Sequence, residues 1–580
     1  MADRRRTGLS ALATLVLALG SAACGAIPNG GPVHFGRDVS QGGGALNDSD
    51  IHVLPPAPVP GEGPAEIVKG FLRASANFDD DHAIARRYLT PRASATWRPN
   101  AGITVYDPVH PDPAPVGPST PGRGQTVVLQ ANRIATIDVD GEYAVRPGRL
   151  AQPFQLTRHG SDWRISAVPS GLLLSSTDLQ RDLRSVYTYF LDPTSRVVVP
   201  DHVFLQTSSR GQPTALVRAL LRGPTGWLRP AVTTAFPAGT ALIGNVPLSG
   251  TVVTVNLTAA AAQSSSAARA AMSAQLVWTL RQLPDVTGVR IQVDGNPLAV
   301  PGEDDVQQIT DWSSFNPDPH PTGSPFYFVS GGTLRGSDGA EVPGPLGHSL
   351  PLEHPAITGD DVAGLRTTGG TTSLYAGPLT GVPSGRLSAP RGTLTPPSVD
   401  GWGGVWTVHR GASPAVLWLP PSASRPVSVP AAALFSLGSV SELRVSRDGT
   451  RVAAIVGADP LRRLVVGRVV LNRAGQPTLD GFRLVAPGLR DAVSLSWASS
   501  DQIAALARPS STGPRSPWLI EVDGSAATST DTVGLPPAGP QLLAAGGSNS
   551  LVVAAAGTIY RTTGGAWTPV GAGTDPAWAN

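Results

Sequence analysis

Few side chains in this 580-residue sequence are grouped as chemistry would need them, and the first to weigh is a lone thiol. Cys24 is the only cysteine, so an internal disulfide and a thiolate metal cluster are both excluded. It follows three small residues, Ser21, Ala22 and Ala23. Before them run an apolar stretch, LSALATLVLAL from Leu9, and the basic triplet Arg4, Arg5 and Arg6. An apolar run of about a dozen residues is too short to span a bilayer comfortably, and a small-residue exit is a cleavage signal. Residues 1–23 therefore read as a secretory signal peptide. A thiol left at that exit is free, intermolecular or modified.

The other candidates are weaker. His348, Glu353 and His354 lie close together in PLGHSLPLEHP and could ligate a metal, but the prolines suit a polar connection better. Asp79, Asp80 and Asp81 could hold a cation, yet they stand where a helix needs N-caps. Trp402 and Trp406 in GWGGVW resemble ring-stacking residues for sugars. At strand spacing they share one sheet side, which favours core packing. Asp448 with Gly449 fits a tight turn. No H-E-x-x-H, G-x-S-x-G, P-loop or dinucleotide fingerprint is present, so no catalytic, cofactor or metal residue is assigned.

The elements that would position these groups follow in order. Residues 24–60 are rich in Gly and Pro, without hydrophobic period, and read as a tether. Ile67, Phe71 and Phe78 recur near helical spacing; a second helix over Ile84, Tyr88 and Leu89 should stop at Pro91. A Pro-rich loop (108–121) precedes alternating runs from Thr126 and Gln152, with turns at Asp140-Gly141 and His159-Gly160. Two helices then a curved antiparallel sheet (61–175) resembles an NTF2-like α+β domain.

Over 183–312 come two strands around Pro193, the helix PTALVRALLRG, two strands in AFPAGTALIGNVPLSGTVVTVNLT, a helix carrying Met272, Leu276, Leu280 and Leu283, and the strand GVRIQVDG. That order resembles a GerMN-type α/β domain. Residues 322–580 lack a convincing helix and repeat short apolar runs between polar turns. The SRDG at Ser446 followed by VAAIV resembles TolB-type repeats, and the spacing predicts an all-β propeller of about six blades. Its last blade should draw strands from both ends of the domain.

Net charge is +2, Lys69 is the only lysine, and no basic cluster follows the signal, which argues against nucleic acid as a partner. The Arg-, Ala-, Gly- and Pro-rich composition matches a GC-rich genome.

Ser21-Ala22-Ala23-Cys24 resembles the lipobox of bacterial lipoproteins, with Ser21 where the box usually has Leu. The resemblance implies that Cys24 is acylated and tethers the chain to membrane lipid; plain secretion after Ala23 is the alternative. The whole order resembles the LpqB family of actinobacterial lipoproteins. It implies a non-enzymatic, lipid-anchored protein on the extracytoplasmic face of the cell membrane. In that family the partner is the outer domain of a sensor histidine kinase of MtrB type, with effects on the envelope and division. A peptidoglycan- or glycan-binding protein, or an envelope hydrolase using the propeller channel, is the rival reading.

Overall fold

The structure, a computed structural model, describes residues 55–580 except 109–111, 121–123, 207–210, 319–324, 390–391, 510–512, 564 and 580. Cys24 and the signal lie outside the described residues.

In the N-terminal unit the helix Pro64–Ser75 buries Ile67, Val68, Phe71 and Leu72, with proline in its first turn where a missing N–H costs nothing. Its apolar face lies on a six-stranded sheet, antiparallel but for one parallel pair between Ile103–Tyr106 and Leu172–Ser175. The expected second helix is shorter than its sequence suggests, Ala83–Arg86, which leaves Tyr88 and Leu89 outside it, and a further piece, Pro91–Thr96, follows. Pro91 starts the second piece, and Thr90 accepts a cap bond from the Ala93 amide at 3.3 Å. The acidic trio does not cap either piece. Asp80, Asp81 and His82 all take positive φ, and Asp81 pairs with Arg86 at 2.6 Å. The Pro-rich loop also differs from expectation. Asp112–Thr120 forms a strand beside Gly124–Ile137, and prolines fit there because the strand is at an edge. The long hairpin Gly124–Ile137 with Tyr143–His159 turns at Asp138, whose Oδ1 accepts from the amides of Asp140 and Glu142, both at 2.9 Å.

The middle unit opens with the hairpin Arg184–Leu191 and Val198–Leu205. The free edge of its first strand meets a helix, Ser266–Leu280, instead of another strand. Thr279 Oγ1 accepts from the Tyr189 amide at 3.1 Å, and Gln275 Nε2 donates to the Tyr189 carbonyl at 2.8 Å. Gln282, just past the helix, accepts from the Tyr187 amide at 3.0 Å and donates to its carbonyl at 2.6 Å. This explains why Gln275 and Thr279 are buried in a helix buried all round from Ala271. Polar side chains satisfy backbone groups that no strand reaches. The helix Gln212–Arg222 ends at Gly223 (φ 95°), as its sequence predicts. Val252–Leu257 and Gly288–Val293 pair in parallel. The AFPAGTALIG run does not form a regular strand; only Leu248–Ser249 pairs with the first of these two, beside an isolated bridge from Leu242 to Leu257.

From Phe326 onward the chain is propeller-like. Six sheets succeed one another, five of them with four or more strands. The sixth joins both ends of the region: Phe326–Ser330 pairs with Thr333–Gly336 and with the C-terminal Thr574–Trp578. The innermost strands contact one another in turn, and the C-terminal strand touches Glu353–Thr358, which closes the ring. Apolar layers fill the spaces between sheets; Trp406, Val408 and Val440 share one with Val456 and Val465.

Candidate functional site

Three pieces of the chain meet at one buried polar junction. The Asp138–Glu142 turn lies on the middle unit's hairpin, where the Gly141 carbonyl accepts from the Phe204 amide at 3.0 Å. Gly141 has φ 88°, and a Cβ there would stand 2.8 Å from the Phe204 carbonyl oxygen, so glycine is required twice over. Glu142 then reaches both neighbours. Its Oε2 accepts from the Trp227 amide at 2.9 Å, and its Oε1 pairs with Arg483 of the ring at 3.3 Å. Arg483 lies 3.9 Å over the Trp227 ring and donates to the Tyr143 carbonyl at 3.1 Å. Trp227 Nε1 donates to the Gly481 carbonyl at 2.6 Å, and Arg468 donates to the Trp227 carbonyl. Gly524, at φ 79°, lets Val145 approach: a Cβ on it would be 2.6 Å from a Val145 methyl.

Deeper in, His202 Nδ1 and Asp523 Oδ2 are 2.6 Å apart across the interface, and Tyr187 donates to Glu521 at 3.1 Å. Asp201 accepts from the amide and hydroxyl of Thr225 at 2.7 and 2.9 Å. Asp318 accepts from Ser500 at 2.7 Å. Burial raises the Glu521 carboxyl to about 7, helped by Asp501 and Asp523 and opposed by His202. Burial likewise lifts Asp201 and Asp318 to about 6, against the donors of Thr225 and Ser500. Burial pushes His202 down, but Asp523 outweighs it and holds the imidazole above its ordinary value.

These shifts carry a sign. Groups whose folded pKa is raised hold protons that the unfolded chain releases, so they stabilise at low pH and that contribution fades as pH rises. Glu521, Asp201, Asp318 and His202 all act this way. Asp523, held low by His202 despite its burial, loses its contribution only in acid. The melting temperature should therefore fall between pH 5.5 and pH 8, and Glu521→Gln should flatten that fall. A variant as pH-dependent as the parent in thermal melts would show that Glu521 titrates normally.

A second polar group lies in the ring's channel. His354 and Asp575, on two innermost strands, are 2.5 Å apart. Glu442 is bound by Arg444 at 2.7 Å and accepts from the Leu495 amide at 3.2 Å. His348, Glu353 and His354, which could ligate a metal together, are dispersed. His348 pairs with Glu341 at 3.2 Å, Glu353 accepts from Thr367 at 3.1 Å, and only His354, on an innermost strand, pairs with Asp575. Among the described residues no three His, Cys, Asp or Glu side chains are grouped to hold a metal.

The tryptophans also separate. Trp406 is buried and donates to Asp400 at 2.9 Å, whereas Trp402 sits in the turn that Asp400 builds and stacks under Arg196 of the middle unit at 5.0 Å. Trp402 is an interdomain contact. Asp448 makes its turn as expected, accepting from Ser446, Thr450 and Arg451, with Gly449 at φ 68°. The junction itself is invisible in sequence, because its members are as far apart as Glu142 and Asp523 and each is unremarkable alone.

Fold and site define a multidomain propeller protein in which a GerMN-like α/β module is fixed between an α+β unit and the ring. Residues 57–180 match the model "Lipoprotein LpqB, N-terminal domain", 187–299 match "Sporulation and spore germination", and 329–579 match "Lipoprotein LpqB beta-propeller domain". The chain is 34% identical to Lipoprotein LpqB of Thermobifida fusca, over 89% of this chain and 90% of the relative. It is 31% identical to that of Streptomyces coelicolor, over 90% and 91%. The chain belongs to the LpqB lipoprotein family. Among solved structures it is similar to TolB from Acinetobacter baumannii (TM-score 0.33, 16% identity, 46% of this chain, 69% of that one). It is also similar to the first GerMN domain of GerM from Bacillus subtilis (TM-score 0.19, 18% identity, 22% and 99%). No helix among the described residues is long and apolar enough to cross a membrane.

Proposed function

We propose that this protein is a lipid-anchored accessory that works by binding, with the outer domain of a sensor histidine kinase as its partner. Cys24 carries the lipid, residues 24–60 form the tether, and an NTF2-like domain (61–175), a GerMN domain (183–312) and a propeller of six blades (322–580) form the binding body on the extracytoplasmic face. The observation that carries the reading is the closed junction. His202 with Asp523, Tyr187 with Glu521 and Glu142 with Arg483 are bound to one another across unit boundaries, so their chemistry is that of assembly. A partly buried pair such as Glu142 with Arg483 is costly to break, by roughly 3–5 kcal/mol for a fully buried case, because one charge would remain unpaired. A body held this way offers fixed surfaces. Lipid confinement beside a membrane-held partner raises the effective concentration, so weak contacts are well occupied.

The test is titration of the purified chain with the kinase's outer domain, alongside kinase output in cells with and without the protein. Saturable binding and altered output support the reading; neither appearing would end it. The channel pairs, His354 with Asp575 and Glu442 with Arg444, favour a second reading, in which the channel binds or cleaves envelope glycan. Hydrolysis of peptidoglycan abolished by Glu442→Gln in a folded variant would establish it in place of the first.

A further inference from the structure

The two faces of the ring are not equivalent. Turns joining first to second strands, such as Asp400–Gly404 and Ser446–Thr450, lie on the face that meets the middle unit, through Trp402 with Arg196 and Ser500 with Asp318. Alternate strand direction puts the turns between second and third strands, and the links between sheets, on the opposite face. There the turn after Val405–Arg410 and the link through Ala432–Phe435 to Val440–Val445 border a groove of about 400 Å³. Val408, Pro414, Phe435 and Val440 give it an apolar lining, with Arg410 at its edge.

Beside the groove the chain exposes two leucines, Leu437 (39%) and Leu461 (62%). They belong to adjoining loops. The Gly457 amide donates to the Ser439 carbonyl at 2.9 Å, and a Cβ on Gly438 would lie 3.2 Å from Gly457. Exposed aliphatics next to an apolar groove mark contact with something apolar.

The surrounding charge says what else the occupant carries. Arg410 and Arg463 are exposed and make no ion pair among the described residues. Arg463 stands opposite Val456, and both share a sheet side with Val465, whose core includes Val408 and Val440, so Arg463 faces the groove side. Arg462, next to Arg463, joins Arg508 and Arg515 of the following sheet in sharing the single carboxylate of Asp491 at 2.8, 3.0 and 2.6 Å. The nearby acid Asp459 leans 3.5 Å to Arg462. The open face is therefore cationic around an apolar slot.

We propose that this groove docks an extracytoplasmic protein segment that presents an apolar side chain flanked by carboxylates. An apolar slot fits a side chain, which an anionic polysaccharide lacks, and a recess suits an inserted residue better than a flat lipid surface does. The proposal rests on the accessory reading above and names the surface that reading uses.

The test places the photo-crosslinker benzoylphenylalanine at Leu461 of the full chain in intact cells, with a control at Val382, 73% exposed on the opposite face. The expected result is a protein adduct from position 461 whose linked peptide is acidic and apolar. Its yield should fall at least tenfold when Arg410→Glu and Arg463→Glu are combined; both residues are exposed, and an unchanged thermal melt would exclude misfolding. A phospholipid adduct alone, no protein adduct, equal yield from Val382, or a yield indifferent to the double reversal overturns the groove. If the captured protein is not the kinase, the groove stands and the kinase assignment falls. If the purified kinase domain binds the double variant as tightly as the parent, the groove falls and the kinase reading stands.

Discussion

Deleting Gly573–Asn580 is expected to unfold the whole ring and not merely shorten it. The eight residues include Thr574–Trp578, the innermost strand of the first sheet and one wall of the channel. Without it, Phe326–Ser330 presents an open edge, Trp578 no longer covers Phe326, and Asp575 no longer binds His354. A ring with one strand missing also leaves the strand Glu353–Thr358 without its neighbour around the channel. The loss is on the order of the region's entire stability, roughly 5–15 kcal/mol. Limited proteolysis should then digest the chain back to near Phe315, where the parent resists. A compact fragment starting near residue 326 would show that the sheets stand without closure.

The second large effect concerns the anchor. Cys24→Ala should move the mature protein from the membrane fraction to the soluble fraction completely. Each buried methylene of an acyl chain contributes about 0.8 kcal/mol, and stable anchoring needs two chains or a chain with a second signal. An acylated Cys24 meets that requirement by itself, and removing the sulfur removes every chain attached through it. Fractionation of cells expressing each form, with a salt wash to strip peripheral contacts, checks it. A Cys24→Ala chain that stays with the membrane after the wash would place the anchor elsewhere. The position of Ser21, where Leu is usual, makes the processing step the part to watch: an unprocessed precursor would run larger on a gel.

What could be read in the sequence was whatever depends on neighbours along the chain. Alternation at Val253, Val255 and Leu257 gave a buried strand, Gly223 ended its helix, and Asp140-Gly141 made a turn. The repeated Asp-bearing turns, as at Asp448, announced the sheets of the ring. Proline both stops a helix and starts one, and here the first piece already ends at Arg86 while the extended Thr90 caps the helix that Pro91 opens. Trp402 escapes a reading by strand spacing because it sits in a turn, and the Asp400-x-x-x-Gly404 bonds that make that turn are the signal for it. The junction could not be read at all. Glu142, His202, Trp227, Arg483 and Glu521 meet only because three separately folded pieces pack together, and no local pattern encodes that packing. Nor could the sequence show that Gln275 and Thr279, polar residues inside an apolar helix, replace a strand.

Closure of the ring by its final strand has a consequence for biogenesis. The chain is made amino-terminus first, so the Phe326–Gly336 hairpin is complete long before the strand it waits for, which lies about 240 residues later. At synthesis speeds of roughly 5–20 residues per second, that delay is about 12–50 seconds. During it, the hairpin's backbone edge is open while the middle unit, already complete, can fold. The order of emergence thus makes the α/β units a finished platform on which the ring assembles last. It also leaves one unpaired edge open until the last strand arrives, where a folding helper would find its client.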